Sequence, residues 1–205
     1  MSIEQPPAIM RWLYPQALWR MDPRQRSVYL TFDDGPLPET TPYILDTLAR
    51  YGVHATFFMV GENAARYQQL LAAVRQQGHR TGNHTYNHIS GCRHYASDYL
   101  ANTDKAETIL RTRRLFRPPH GWMTPPQYHA LLRATYTIVM WDLVTRDYSN
   151  DLTPADIFGN VRRYTRPGSI VTFHDSLRSI DKLHTALPQA IRWLQDQGYS
   201  FKTFD

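Results

Sequence analysis

A chain of 205 residues has the size of one domain and can bury a substantial core. Hydrophobic residues make up 42% of it and aromatic residues 13%, as in globular proteins, and its single cysteine excludes a framework of intrachain disulfides. The net charge of +5 comes from dispersed Arg and Lys residues, which we interpret as solvated. This predicts no nucleic-acid partner and leaves open an anionic polymer or a membrane surface.

Residues 1–27 are predicted to form a leader that packs on the domain formed by residues 28–205. The leader has no cationic segment followed by an uninterrupted apolar run, so we expect no secretory signal, and no stretch of the chain approaches the about 20 apolar residues that span a bilayer. Trp12 and Trp19 are compatible with peripheral membrane contact, but Pro15 interrupts the helix that such contact needs. We therefore favour packing, with a cytoplasmic or membrane-proximal location and an open oligomeric state.

From residue 28 onward, apolar strand-like runs alternate with amphipathic helical segments. The predicted strands are 28–32, 55–60, 79–82, 115–117, 137–141, 169–173 and 200–204. The predicted helices are 41–51, 62–77, 96–113, one after Pro125–Pro126, 154–164 and 183–197. Thr153 and Ser97 are the predicted N-caps of the helices 154–164 and 96–113.

This order makes seven βα-like units whose strands are apolar enough to be buried on both faces. It predicts an α/β fold, a single-domain and irregular (β/α)7 barrel of the TIM type. An open doubly wound sheet is the alternative.

Two motifs carry the chemistry. Asp33 and Asp34 follow the first predicted strand, and His84 and His88 stand four residues apart in a polar segment. One carboxylate with two imidazoles is a common facial set for a divalent metal that keeps positions open for water and substrate. The second carboxylate is then free to act as a general base for hydrolysis. Local sequence leaves open which aspartate takes which role.

Further polar residues recur where predicted strands end: Arg117, Asp142, His174 and Asp175. Because a barrel collects its chemistry at the C-terminal ends of the strands, this pattern predicts a single metal-dependent site there. Cys92 follows His88 by four residues, and we interpret it as a small buried thiol rather than a ligand.

Five segments in order resemble the motifs of the polysaccharide deacetylase family, the NodB-homology group also called carbohydrate esterase family four. They are TFDDGP, HTYNH, FRPPHG, WDLVTRDY and IVTFHD, and the likeness covers nearly everything from Val28 to Phe204. His120, Val144 and Tyr148 depart from the family, which commonly has Tyr, Asp and Trp at these positions.

The resemblance implies one divalent metal ion, usually zinc and sometimes cobalt or nickel, bound by Asp34, His84 and His88. It also implies roles for five further residues. Asp33 is the base that deprotonates the attacking water, Arg117 holds Asp33 ionised, His174 is the acid for the departing amine, Asp147 orients His174, and the backbone N–H of His120 holds the oxyanion.

The predicted function is removal of N-acetyl groups from an amino-sugar glycan or oligosaccharide. Two alternatives remain: an O-acetyl esterase on acetylated xylan or a related glycan, and a non-catalytic glycan-binding barrel, against which the presence of both Asp33 and His174 argues. Asp142 is interpreted as structural. Trp122, Trp141 and Tyr148 are candidates either for stacking on sugar rings or for packing. The remaining histidines are treated as structural or surface residues: His54, His79, His94, His129 and His184.

Overall fold

A computed structural model describes residues 4–204. The strands are β1 Ser27–Asp33, β2 Thr56–Met59, β3 Arg80–Asn83, β4 Leu115–Phe116, β5 Thr137–Ile138, β6 Leu143–Val144, β7 Ser169–His174 and β8 Ser200–Phe201. The helices are α1 Ala8–Leu13, α2 Thr41–Arg50, α3 Gly61–Arg66, α4 Gln68–Gln76, α5 Ala96–Leu110, α6 Pro125–Arg133, α7 Pro154–Tyr164 and α8 Ile180–Asp196.

The strands form one parallel sheet in the order β5-β4-β3-β2-β1-β7-β6, and β8 pairs with the start of β1. The two end strands, β5 and β6, are consecutive in the chain and are joined by residues 139–142. This short connection joins β5, which pairs with β4, to β6, which pairs with β7. It therefore brings the two edges of the sheet together, and the sheet curls into an irregular (β/α)7 barrel. The fold prediction is confirmed, and the doubly wound alternative is discarded.

The N-terminal segment fills the seam between the two end strands. Leu18 forms a parallel bridge with Val139, and Arg20 forms an antiparallel bridge with Ser169 at the start of β7. Trp19, between them, is buried, and its ring lies 5.8 Å from that of Trp141. The main chain before β1 thus contributes hydrogen bonds at the point where strand pairing is shortest.

Alternation along β1 separates two apolar layers. Tyr29 belongs to a cluster inside the barrel that also includes Phe58 and Ile170. Leu30 and Phe32, one position out of phase, pack with the helices outside the sheet. Asp33 shares the inward phase of Tyr29, so the strand's own periodicity delivers this carboxylate to the barrel interior.

Several predicted boundaries are wrong. The helix predicted at 62–77 is two helices broken at Tyr67, where ψ is 57° although the apolar pattern continues across the break. Strand 137–141 forms a ladder only over β5, with Val139 in an isolated bridge to Leu18; β6 was missed, and strand 200–204 forms a ladder only over β8. Tertiary pairing decides these ends, and local propensity does not.

One predicted helix ends earlier than expected and has a different N-cap, and another has the expected bounds. The helix predicted at 96–113 stops at Leu110, because Arg111 adopts a left-handed φ of 43°, and its N-cap is Tyr95 rather than Ser97. Helix α7 has the predicted bounds, and Thr153 caps it by accepting a hydrogen bond from the Asp156 N–H.

In the part of the chain that the structure describes, no helix is both long and apolar enough to cross a membrane.

Candidate active site

The two adjacent aspartates diverge at the end of β1. Asp33 is the last strand residue and points into the barrel, where it is buried. Asp34 has a φ of 82°, a left-handed conformation that turns the chain out of the strand. Its backbone is held on both sides, because its N–H donates to the Phe58 carbonyl at 3.2 Å and its carbonyl accepts from Asn63 Nδ2 at 3.0 Å. The two carboxylates therefore lie in different surroundings and can have different roles.

Asp34 meets both histidines of the second motif. Its Oδ1 lies 3.5 Å from His84 Nε2 and 3.2 Å from His88 Nε2, and one ligand atom from each of the three residues lies within 4.8 Å of the others. His84 comes directly after β3, and its N–H donates to the Met59 carbonyl at 2.9 Å. Two nitrogens and one oxygen are thus close enough together to share one ion.

The donor set fits a divalent cation. His84 Nδ1 lies 2.8 Å from the Arg117 carbonyl, which can only accept, so Nδ1 carries the proton and Nε2 presents its lone pair. That lone pair then faces an Asp34 oxygen, another acceptor, with no proton to bind between them. A cation resolves this conflict, and a backbone carbonyl on the far ring nitrogen is a common way of orienting a metal-binding histidine.

The protonation states agree with this geometry. Burial, followed by the charge of His88, holds the pKa of His84 well below its usual range, so the ring is neutral. Burial alone would raise the pKa of Asp34, but the hydrogen bond with His88 and the charge of His174 outweigh it and lower the pKa. A neutral imidazole and an ionised carboxylate are the forms that bind metal.

Arg117 holds Asp33 from inside the barrel. Its buried guanidinium donates from Nη1 to Asp33 Oδ1 and to Thr31 Oγ1, both at 2.7 Å, and from Nη2 to the Met140 carbonyl at 2.8 Å. Burial raises the pKa of Asp33 by more than Arg117 lowers it, so the net shift is upward. Arg117 by itself lowers this pKa, as a neighbouring guanidinium should, and the larger effect is that of burial. A carboxylate that is oriented yet readily protonated suits a general base.

His174 lies beside Asp33 across the sheet, since the two are register partners at the ends of β7 and β1. Buried Asp147 accepts two hydrogen bonds from it, from the backbone N–H and from Nδ1, both at 2.7 Å. Burial lowers the pKa of His174, but the charge and hydrogen bond of Asp147 and the charges of Asp34 and Asp33 raise it to about 9. The ring is thus protonated at neutral pH, with Nε2 left free of Asp147.

His120 occupies the turn Pro119–Gly121 with a φ of 58°, and its exposed ring lies 4.7 Å from that of His88. Gly121 and Trp122 use their N–H groups on the turn's own carbonyls, whereas the His120 N–H donates to no group within residues 4–204. Gly121 has a φ of 66°, and a Cβ there would overlap the Trp141 ring, so no other residue fits. The turn therefore carries an unused N–H on a residue whose ring contacts His88.

The comparisons with known proteins agree on one family. Residues 20–139 match the family model described as polysaccharide deacetylase, which is more than half of the chain. The chain belongs to the polysaccharide deacetylase family. Proteins named for this activity hydrolyse amide bonds, so the chain is an enzyme, a carbohydrate deacetylase that acts on carbon–nitrogen bonds in linear amides.

Relatives of this deacetylase share most of its length. It is 33% identical to a peptidoglycan-N-acetylglucosamine deacetylase of Bacillus cereus, over 90% of this chain and 89% of the relative. It is 33% identical to a chitooligosaccharide deacetylase of Sinorhizobium fredii, over 86% and 89% respectively. A crystal structure of a peptidoglycan N-acetylglucosamine deacetylase in complex with 4-naphthalen-1-yl-N-oxidanyl-benzamide superposes with a TM-score of 0.85 and 32% identity, covering 94% of this chain and 93% of that one.

Two residues singled out in the sequence lie outside the cluster. Asp142 is buried and accepts from Arg166, Arg11 and Ser169, so it ties the N-terminal helix to the loop before β7, as the structural interpretation expects. Cys92 is exposed and is not among the three residues grouped as a metal site, so its interpretation as a buried thiol is wrong. It lies on the 3-10 turn Gly91–Arg93, in which Gly91 is buried and Cys92 and Arg93 are exposed.

Asp175 is the residue of the deacetylase site whose role sequence reasoning missed. Its buried carboxylate accepts from the hydroxyls of Thr40 and Thr41, and its N–H donates to the Asp33 carbonyl at 2.7 Å. Thr41 Oγ1 in turn accepts from the Leu37 N–H at 2.8 Å. Asp175 therefore ties the end of β1, at Asp33, and the loop that follows it to the end of β7. Its position beside His174 was the available signal.

The contact of Asp175 with Gly35 gives a stability prediction. A Cβ at residue 35 would overlap Asp175 Oδ2, so Gly35→Ala should lower the free energy of unfolding by about 1–3 kcal/mol. In an Asp175→Ala background the carboxylate is gone and only the Cβ of residue 175 remains, at 3.0 Å, so the same change should cost clearly less than it does in the wild-type protein. Urea denaturation of the four proteins measures this. Gly159→Ala on α7, where a Cβ meets nothing within 4 Å, is the matched control. Equal costs of Gly35→Ala in both backgrounds would contradict the clamp.

Proposed function

We propose that this deacetylase removes N-acetyl groups from the amino sugars of a glycan or oligosaccharide and releases acetate, using one divalent metal ion. One observation carries the proposal. At one end of the barrel, a two-histidine, one-carboxylate set lies beside a second carboxylate and a protonated histidine, each of the latter two held by its own buried partner. Hydrolysis of an amide needs such separate groups, because the water must lose a proton and the amine must gain one.

Asp34, His84 and His88 would hold the metal. Two nitrogens and one oxygen favour zinc, with cobalt or nickel as alternatives. When bound, such an ion supplies activation of water at neutral pH and polarisation of the acyl carbonyl. Arg117 contacts both parts of the site. Its carbonyl fixes the tautomer of His84, and its guanidinium orients the carboxylate of Asp33.

The remaining residues divide the proton transfers. Asp33 accepts the proton of the attacking water and is kept in place by Arg117. The N–H of His120 donates to the oxygen that becomes negative as the carbonyl is attacked. His174 then gives its Nε2 proton to the departing amine, and Asp147 keeps Nδ1 protonated so that the transferable proton stays on Nε2.

The relatives' names point to the substrate class. One is named for the N-acetylglucosamine of peptidoglycan and another for chitooligosaccharides, both of which present N-acetylated amino sugars. We extend this class to the present chain. The division into residues 1–27 and 28–205 and the cytoplasmic or membrane-proximal location stay predictions from sequence.

Acetate release tests the function. Metal-loaded protein is incubated with chitooligosaccharides, peptidoglycan fragments and acetylxylan, and acetate is quantified by an enzyme-coupled assay. Release from the first two supports N-deacetylation. Release from acetylxylan alone would establish the O-acetyl esterase instead, and binding without release from any substrate would establish the glycan-binding barrel.

Loss of a ligand gives the metal prediction. Asp34→Ala and His84→Ala should each lose most of the bound metal, because the two remaining ligands cannot complete the facial set. Elemental analysis after dialysis measures the metal content per chain. Exposed Cys92→Ser is the control and should keep the wild-type content. Loss of metal from Cys92→Ser, or full metal content in Asp34→Ala, would show that the ligand set is wrong.

A further inference from the structure

Arginines collect at the end of the barrel where the strands begin, opposite the metal set. Seven segments lead into strands at that end, and six of them carry at least one Arg. We call these segments the basic face; they are residues 20–26, 47–55, 73–79, 107–114, 130–136, 161–168 and 193–199. Together they hold twelve Arg and three acidic residues. Charge that is dispersed along the sequence is therefore concentrated on one face by the fold.

The end of the barrel that carries the metal set has the reverse balance. The segments that leave the strands there are residues 34–44, 60–64, 84–99, 117–128, 145–157 and 175–183. They hold five cationic and nine acidic residues, and the acidic ones include Asp34 and Asp147 of the candidate site. The molecule is thus polarised along the barrel axis, with an acidic end at the metal set and a basic end opposite.

Little of the charge on the basic face is neutralised by acidic groups. All of its arginines are exposed except Arg20 and Arg114, which are half-buried. Ion pairs within residues 4–204 engage three of the twelve, Arg24, Arg114 and Arg166. The other nine have no acidic partner among the described residues, so an anionic partner can still reach them.

Helix dipoles account for only part of this arrangement. A cation in the last turn of a helix offsets the partial negative charge of the free carbonyls, and Arg50, Arg75 and Arg133 lie in such turns. Seven of the twelve lie outside the helices, Arg111 and Arg113 among them. Like charges gathered in this way repel one another, and an anionic partner would relieve the repulsion.

The spread of the basic face favours a flat partner. Arg111 and Arg113 precede β4, whereas Arg162 and Arg163 precede β7, and three strands, β3, β2 and β1, separate β4 from β7 in the sheet. The cations therefore surround the end of the barrel and do not follow one line. A linear polymer contacts a line of cations, whereas the surface of a bilayer contacts a whole face.

The basic face offers no stacking surface for nucleic-acid bases. The large apolar side chains that are exposed within residues 4–204 all lie outside it. Binding of single strands relies on aromatic side chains between the cations. The same property predicts that a bilayer is contacted at its headgroups, without insertion into the hydrocarbon, and that the contact is sensitive to salt.

We propose that the basic face docks on the surface of an anionic lipid bilayer. Basic segments are attracted to anionic headgroups within about one Debye length of the surface. The metal set, at the other end of the barrel, then faces away from the bilayer and stays open to a glycan. This docking does not depend on the proposed deacetylation.

Vesicle sedimentation tests the docking. The full chain is mixed with vesicles of phosphatidylcholine alone or with phosphatidylglycerol added, at low and at high salt. The protein should sediment with the phosphatidylglycerol vesicles at low salt, should be released at high salt, and should not bind phosphatidylcholine. Equal binding to both lipids, or no binding to either, would refute the docking.

Charge removal on opposite sides of the barrel tests the assignment of the face. The double variants Arg111→Gln/Arg113→Gln and Arg162→Gln/Arg163→Gln should each weaken vesicle binding about 10–30-fold. The control Arg66→Gln/Arg178→Gln removes the same charge from exposed residues elsewhere: Arg178 follows β7, and Arg66 shares a groove with Pro38 of the loop after β1. It should bind like wild type. Thermal melting checks that every variant is folded.

Three further outcomes overturn the proposal. An equal loss in the control would show that net charge matters and the basic face does not. An effect of only one of the two basic pairs would show a line of contact and no flat surface. Soluble polyphosphate that binds more tightly than the vesicles, with the same dependence on both pairs, would assign the face to an anionic polymer. Because none of these measurements uses catalysis, a failure of the proposed function would leave them unchanged.

Discussion

Asp33→Asn is expected to lower kcat for acetate release by about 10²–10⁴-fold, which is the usual worth of a positioned proton-transfer group. Asn has the same shape and can still accept the hydrogen bond from Arg117, but it cannot take a proton from water. Metal content should stay at the wild-type level, because Asp34 and both histidines are untouched. The loss should be similar for an amide and an ester substrate, since both need an activated water.

The measurement is kcat with N-acetylated chitooligosaccharide and with an aryl acetate at saturating metal. Exposed Asp46→Asn on α2 is the matched control, since it makes the same chemical change far from the cluster, and it should keep wild-type activity. If Asp33→Asn loses metal together with activity, Asp33 is a ligand and the two aspartates exchange roles. Activity within about threefold of wild type would remove Asp33 from the proton transfer.

His174→Ala is expected to separate two classes of substrate. On an N-acetyl sugar it should lower kcat by about 10²–10⁴-fold, because an amine cannot leave without a proton. On an activated aryl acetate it should retain much more activity, because a phenolate departs without protonation. The pKa of about 9 that Asp147 and the site carboxylates confer supports this role, since His174 is then protonated at neutral pH.

The readout is the ratio of kcat values for the two substrates in wild type and variant. The ratio should shift by at least an order of magnitude towards the ester in His174→Ala and should stay near the wild-type value in Asp33→Asn. An equal loss on both substrates would refute the general-acid role. His174 would then have to act on the metal or on the oxyanion.

Local sequence predicts part of the active-site arrangement. Asp33 and His174 come at the ends of apolar strand-like runs, His84 follows the short strand predicted at 79–82, and parallel strands of one sheet end at one edge. The pattern could therefore place them at the same end of a barrel. It could not show that Asp33 and Asp34 point apart, because the left-handed φ of Asp34 depends on its contacts with Phe58 and Asn63.

The direction of the pKa shift of Asp33 could not be predicted from local sequence. Arg117 lowers the pKa of Asp33 in isolation, but burial has the larger effect, and burial is a property of the closed barrel. Likewise Asp175 is only the residue after His174 in the sequence. Its tie to Thr40 and Thr41 joins positions more than 130 residues apart, which periodicity does not report.

The sequence by itself determined the class of fold, the alternation of its main strands and helices, and the end of the barrel where the chemistry lies. Those features follow from hydrophobic periodicity and from residue types at strand ends, both of which are local along the chain. Only the tertiary structure decided how the passage 139–142 joins the two end strands and how Tyr14 comes to lie beside Trp122. These depend on side chains far apart in the chain that meet only when the barrel closes, and no local pattern encodes such meetings.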